Sequence, residues 1–275
     1  MDAHQEHSQG AFDLGVALLI PVGLAAVAYA GAAIAENRRG KRVWPIHRLI
    51  FAILGLGTIA ATLVGPLADL SHTSFTAHMA AHLLVGMLAP LLIVLSAPIT
   101  LMLRTLHVVP ARRLARLLNS GPARFLTHPI PAAVVNVGSL WALYATGISE
   151  VMLNNPLLHY VLLAHFFIAG YLFTVSMVSV DPIAHRANFR LRLGVLLGAV
   201  AGHSILAKYI YINPPAGTSV MDAQAGGVLM FYGGDLIELA LIVAFFAQWY
   251  SGSRPAAGDR GARFGDGARG ESAVG

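Results

Sequence analysis

The feature that most constrains this chain is a series of seven long apolar runs. About 20 mostly apolar residues are needed for a helix to cross the hydrocarbon core of a bilayer. The runs cover residues 14–35, 49–67, 79–103, 130–148, 158–180, 191–212 and 225–249. Because a backbone in lipid must satisfy its own hydrogen bonds, they predict an all-α, polytopic membrane bundle of seven transmembrane helices.

Composition excludes other classes of protein. Charged residues make up only 11% of the 275 residues and hydrophobic residues 56%, whereas a soluble domain has roughly 25% charged residues. This argues against a disordered chain and against a soluble enzyme, so we expect no catalytic centre. The absence of cysteine excludes disulfides, thiolate metal sites and cysteine nucleophiles.

The basic residues predict the orientation in the membrane. Seventeen of the 18 Lys and Arg residues lie in or beside the segments after the first, third, fifth and seventh runs, and only Lys208 does not. The positive-inside rule places those segments in the cytoplasm, so the N-terminus is expected outside and the C-terminus inside. The net charge of +5 then reflects bilayer topology rather than nucleic-acid binding.

This topology divides the chain into three parts. Residues 1–13 are predicted to be an extracytoplasmic tail, 14–250 the transmembrane domain, and 251–275 a disordered cytoplasmic tail rich in Gly, Ala and Arg. Residues 111–118, in which leucines alternate with arginines, predict a short helix on the membrane surface. We expect a multi-pass protein of the bacterial plasma membrane.

The histidines cluster towards one side of this topology. Eight of the 12 lie outside or in the outer half of the membrane: His4, His7, His72, His78, His82, His159, His165 and His203. His78 and His82 are four residues apart, so they share a helix face and can reach one metal ion. Ionisable groups within a membrane are costly and usually functional, although hydrogen bonding between helices is the alternative for each.

These positions predict a metal site. His78 and His82 form its core, His165 and His203 are the third and fourth ligands, and His72 or His159 is a relay through which the ion enters. Imidazole binds copper, zinc and iron, and the thioether of Met79 favours copper(I). Apolar surroundings would keep the imidazoles neutral, which is the form that a metal requires.

Other polar and small residues are expected to support this site. Asp222 and Gln224, at the start of the seventh run, either orient site histidines or cap their own helix. Asp235 either accepts a hydrogen bond from a histidine N–H and so orients that histidine, or bonds to backbone as a protonated acid. The four-residue spacing of Gly194, Gly198 and Gly202 predicts close helix packing that brings His203 against a neighbour.

Three segments resemble a known family. They are residues 75–101, which contain His78, His82 and the Ala-Pro pairs at Pro90 and Pro98, residues 159–173, and residues 222–230. They are similar to the polytopic CtaG family of caa(3)-type cytochrome c oxidase assembly factors. The resemblance implies a role in maturing a haem–copper oxidase, with oxidase subunits as partners and copper as a transiently bound cargo on the outer face.

Two other functions stay open at this stage. Outer-half histidines on several helices are also compatible with a bis-histidine membrane haem protein of the cytochrome b kind, although no matching pair occurs in both leaflets. Asp235 and Glu238 near the middle of the last run are compatible with a metal- or proton-coupled transporter, although the cytoplasmic halves of the runs carry few ionisable residues. A Soret band would indicate the first, and flux into liposomes the second.

Overall fold

The computed structural model describes residues 2–40, 43–146, 155–178, 180–181 and 187–252, and every regular element within them is helical. A π-helix, Leu84–Leu88, follows α4. The α-helices are α1 (Asp2–Arg38), α2 (Ile46–Leu63), α3 (Pro66–Ser71), α4 (Phe75–Leu83), α5 (Ala89–Leu95), α6 (Pro98–Thr105), α7 (Val108–Leu118), α8 (Gly121–Leu126), α9 (Pro129–Ala145), α10 (Pro156–Met177), α11 (Phe189–Ile212) and α12 (Val220–Gly252). The expected all-α class is confirmed.

Six helical segments in the described part of the chain are long and apolar enough to cross a membrane. They are Leu14–Arg38, Ile46–Leu63, Phe75–Leu95, Leu157–Met177, Phe189–Ile212 and Val220–Ser251. The remaining predicted span, residues 130–148, corresponds to α9, an apolar helix of 17 residues. This length is at the lower limit for crossing a bilayer, so the structure supports six candidate spans and the seventh stays a prediction.

The ends of the chain differ from the predicted division. Helix α1 begins at Asp2, so the predicted tail of residues 1–13 is helical along most of its length. Helix α12 continues through Gly252, while the rest of the predicted tail, from residue 253, lies outside the described residues. The predicted surface helix at 111–118 lies within α7, where none of the residues is buried.

The third apolar run is broken twice, each time at a proline. Pro90 has no N–H to donate to the carbonyl of Gly86 four residues earlier, and the chain forms the π-helix there. A second break lies before Pro98, where Ala97 adopts a left-handed conformation with φ of 53°. A single run in the sequence therefore becomes α4, the π-helix, α5 and α6.

The predicted glycine ladder on α11 is wrong in part. A Cβ atom at Gly194 or Gly198 would meet nothing within 4 Å, so these two positions contact no neighbouring helix. At Gly202, by contrast, an added Cβ atom would lie 3.0 Å from Cγ1 of Val137 on α9, so this position does pack closely against a neighbour. The close approach at His203 comes from Gly234 of α12, whose Cβ position would lie 2.4 Å from the imidazole Cε1.

Loops that the basic residues assign to one side of the membrane contact each other. The guanidinium of Arg104 lies 3.6 Å from the carboxylate of Glu36, and Arg39 donates to the carbonyl of Arg104 at 2.7 Å. Near these groups, Thr100 donates to Asp181 at 2.6 Å. At a separate site, Ser74, which precedes α4, donates to Asp222 in the first turn of α12 at 3.2 Å. If the loops alternate between the two sides of the membrane as predicted, these contacts join loops of the same side. Which side faces the cytoplasm stays a prediction.

We therefore expect a reporter fused after Gly275 to be active only as a cytoplasmic fusion, and a tag placed before Asp2 to be labelled from outside. The reason is the distribution of the basic residues, which favours retention of their segments in the cytoplasm. Fusions and impermeant labelling in intact cells measure both ends. A C-terminal fusion active only outside the cytoplasm would contradict the orientation.

Candidate functional site

Three histidines from different segments meet beside the start of α4. The ring centroids of His72 and His159 are 4.8 Å apart, and those of His159 and His78 are 5.6 Å apart. His78 and His159 are buried, whereas His72 is exposed. We call this group the three-histidine cluster. It forms a short series of imidazoles that runs from the surface into the bundle.

Local caps fix where the helices that carry His78 and His159 begin. Ser74 caps α4 by accepting from the N–H of Ala77 at 3.4 Å, and Asn155 caps α10 by accepting from Leu158 at 3.1 Å. Both helices therefore begin a few residues before a cluster histidine.

The imidazole of His72 favours its neutral form. Its partial burial lowers the pKa, and the carboxylate of Asp69 raises the pKa by a smaller amount. The pKa of His72 is therefore below its usual value.

A polar cavity of about 380 Å³ lies beside the cluster. His72 and Asp222 line it together with Phe75, Gly217 and the hydroxyl residues Ser71, Thr73, Ser74, Thr218 and Ser219. The cavity is large enough for many water molecules. His72 is exposed and lines this cavity, so an ion in solvent can reach its imidazole there.

Asp222 holds the beginning of the helix that carries His78 and His82. Its carboxylate accepts from the N–H groups of Phe75 and Thr76 at 2.7 and 3.0 Å, and from the Thr76 hydroxyl at 2.6 Å. The cap of α12 itself is Ser219, whose hydroxyl accepts from the N–H of Asp222 at 3.2 Å. Asp222 therefore caps a neighbouring helix, an option that neither of the sequence-based alternatives included.

We expect Asp222→Ala to lower stability by about 1–2 kcal/mol, the usual cost of losing a helix cap, and to reduce copper retention as well. Ser219→Ala is the matched control, because it removes a cap from α12 and leaves α4 held. Thermal unfolding and the copper content of the purified variants measure the two effects. Equal copper content in both variants would show that Asp222 does not position the histidines.

A second group of polar side chains lies deeper in the bundle. His82, His203 and Glu238 line a cavity of about 40 Å³ together with Asn136 and Thr174. His203 Nδ1 lies 3.3 Å from Oε1 of Glu238. A cavity of this size holds a few water molecules, and it has no room for a haem. We call this space the deep cavity.

His82 connects the cluster to the deep cavity. It lines the deep cavity and also a smaller cavity of about 10 Å³ that His78 and His159 share. It is buried, and its Nε2 has no hydrogen-bond partner among the described residues. Nδ1 of His78 is likewise buried without one. Buried polar atoms without partners are costly, so each of these two nitrogens is free to bind a water molecule or an ion.

The other predicted site residues lie elsewhere. His165 is half-buried with its ring 5.5 Å from that of Phe166, and the described lining of these cavities does not include it. Met79 is fully buried in the apolar core with Phe75 and Leu206. Gln224 and Asp235 are half-buried on α12. Their predicted roles at a metal stay predictions.

No three His, Asp or Glu side chains in the described part of the chain are arranged to hold one metal ion. The predicted four-histidine site is therefore not assembled as a closed site. The arrangement consists of neighbouring pairs: His72 with His159, His159 with His78, and His203 with Glu238.

Sequence reasoning did not assign Glu238 to the site, nor Asn136 and Thr174. Asp235 and Glu238 are three residues apart on α12, and spacing alone does not tell which of them faces His203. Burial distinguishes them, because Glu238 is 7% exposed and Asp235 is only half-buried. Asn136 carries a detectable signal, since it is a lone amide within an apolar run.

Fold and site together define a polytopic helical membrane protein with a series of histidines buried between its helices. The family model for the cytochrome c oxidase caa3 assembly factor, CtaG, matches residues 27–252. The chain belongs to this family, which confirms the resemblance.

Curated relatives occur in mycobacteria. A protein of Mycobacterium bovis is 31% identical over 245 residues, which is 82% of this chain and 37% of the relative, and a Mycobacterium tuberculosis protein matches to the same extent. A Mycobacterium leprae protein is 28% identical over 233 residues, covering 77% of this chain and 35% of the relative. The chain thus spans about a third of the length of these relatives. No solved structure matches it.

Proposed function

We propose that the chain acts, without catalysing a reaction itself, in the assembly of a caa3-type cytochrome c oxidase in the bacterial plasma membrane. In this role it passes copper along its histidines on the extracytoplasmic side. Membership of the assembly-factor family supports the first part. The three-histidine cluster supports the second, because it lines up imidazoles 4.8 and 5.6 Å apart between a polar cavity and the bundle interior.

Histidines arranged in pairs fit a copper ion that is passed on better than one that stays bound to the protein. Copper(I) accepts two ligands, and imidazole is a copper ligand. His72 and His159 form the first pair, His159 and His78 the second, so an ion exchanges one ligand at a time as it moves. A site with neither thiolate nor a third ligand in place binds weakly, which favours release to a partner.

The cluster also selects for the ion that it passes. The polar cavity beside His72 admits hydrated ions, whereas His78 and His159 are buried and require the ion to lose water. Copper(I) loses water readily and gains imidazole ligands in return. Oxidase subunits that present a copper site at the outer membrane surface are the partners that this arrangement fits.

Deletion of the gene, followed by purification of the oxidase, tests the proposed function. We expect oxidase subunits to be present in the membrane, with a copper content and activity that fall several-fold and return when the wild-type chain is supplied. A haem content that stays normal per subunit would separate copper delivery from general assembly. Full copper occupancy of the oxidase in the deletion strain would overturn the proposal.

A further inference from the structure

The deep cavity carries a feature that copper passage through the three-histidine cluster does not use. His203 is 3% exposed and Glu238 is 7% exposed, and they come from neighbouring helices α11 and α12. His203 Nδ1 and Glu238 Oε1 are 3.3 Å apart. Neither ring nitrogen of His203 forms a hydrogen bond within the described residues, nor does Oε2 of Glu238.

This separation is that of two ligands on one ion. Nitrogen and oxygen ligands lie about 2.0–2.2 Å from a tetrahedral ion such as zinc, which places two such ligands about 3.3 Å apart. A hydrogen bond at the same distance would need the N–H to point at the carboxylate, and this pair does not meet that geometry. The two side chains therefore lie at the separation of two ligands without a hydrogen bond between them.

We propose that His203 and Glu238 form a site for a divalent transition-metal ion, with zinc as the representative. Water in the cavity of about 40 Å³ completes the coordination, and Asn136 and Thr174 on its walls accept or donate hydrogen bonds to that water. His82, on another wall of the cavity, is available as a further ligand. Two ligands in place agree with the lack of a closed set of three among the described residues.

Charge favours a divalent ion over copper(I) here. The site includes a carboxylate, which is a harder ligand than imidazole and prefers divalent ions. Asp235, one turn before Glu238 on α12, is a second acidic residue in the same part of this helix. Uncompensated charge at this depth in a membrane would be costly.

Close packing holds the ligands in this geometry. A Cβ atom at Gly234 would lie 2.4 Å from Cε1 of His203, so the imidazole lies directly on the α12 backbone one turn before Glu238. An ion bound to both side chains joins α11 to α12. The ion therefore acts as a structural link within the membrane, which is independent of copper delivery at the three-histidine cluster.

Zinc titration of the detergent-purified full chain, stripped of metal and followed with a competing fluorescent chelator, tests this proposal. We expect one zinc ion per chain at the deep site, and zinc should raise the unfolding temperature. Glu238→Gln and His203→Ala should each weaken zinc binding by at least about 10-fold, the lower end of the loss seen when groups that only support ligands are changed. Wild-type affinity in Glu238→Gln would overturn the site.

His159→Ala separates this proposal from the proposed function. That variant removes ions held by the three-histidine cluster, so we expect it to lose copper(I) retention and keep the zinc ion of the deep site. Loss of zinc in His159→Ala with retention in Glu238→Gln would place the ion at the cluster and overturn the deep site. If Glu238→Gln is too unstable to purify, His203→Ala decides, and wild-type zinc affinity in that variant would overturn the site.

Discussion

Alanine at His78 should abolish copper retention and oxidase maturation, with the amount of protein in the membrane close to normal. His78 is the innermost member of the three-histidine cluster, and its ring lies 5.6 Å from that of His159. Without it, an ion at His159 loses the α4 imidazole whose ring contacts that of His159. Loss of a ligand should weaken copper binding by more than the about 10–100-fold that loss of a supporting group costs.

His82→Ala should have the same effect for a related reason. His82 lines the small cavity that His78 and His159 share, and lies one helical turn beyond His78. Copper content of purified protein, and oxidase activity per haem in the membrane, measure both variants. A normal oxidase in either variant would assign that histidine to packing between helices.

Two exposed histidines provide matched controls. His107 and His128 lie at the starts of α7 and α9, in segments whose basic residues predict the cytoplasmic side. Alanine at either position should leave copper retention and oxidase maturation unchanged. An equal loss in these variants would show that the effect of His78→Ala does not depend on the cluster.

Gly170→Ala should destabilise the protein strongly although it adds only one methyl group. The Cβ position at Gly170 lies 2.0 Å from the carbonyl oxygen of Gly86 and 3.1 Å from Cγ of Pro90. Both neighbours are fixed, one as backbone and the other as a ring, so α10 must move away from the π-helix. Overpacking of this kind costs about 1–3 kcal/mol or more, and the shift also separates His159 from α4.

Gly198→Ala is the control for this change. It is also a glycine within a membrane helix, but a Cβ atom there meets nothing within 4 Å. Because alanine is the better helix former by about 1 kcal/mol, Gly198→Ala should be neutral or stabilising. Unfolding temperatures in detergent compare the two, and equal stability of both variants would contradict the close packing of α10 on the π-helix.

The sequence predicts the long helices well because apolar length determines them. The runs at 158–180 and 191–212 correspond to α10 (Pro156–Met177) and α11 (Phe189–Ile212) within a few residues. It does not predict the break of the third run into four helical pieces. Prolines mark the positions of the breaks, but whether a helix kinks, forms a π-turn or ends depends on the neighbours that receive the freed carbonyl.

Contacts between helices explain what sequence reasoning missed at the site. His78 was predicted from its spacing to His82, yet its nearest imidazole is that of His159, which belongs to another helix. Asp222 was assigned to its own helix or to a histidine, and instead it caps α4, which lies almost 150 residues earlier in the chain. Contacts of this kind depend on which helices pack against each other. The pattern of residues along a single helix does not predict that order.

The cap provided by Asp222 has a consequence for synthesis of the protein. The histidines of α4 emerge early from the ribosome, but the groups that hold or accompany them, Asp222 and Glu238, belong to α12 near the end of the described chain. Until α12 has been inserted, the start of α4 lacks its carboxylate and the deep cavity lacks a wall. Under the proposed function, we therefore expect a chain whose synthesis stops before α12 to retain less copper than the chain that includes it.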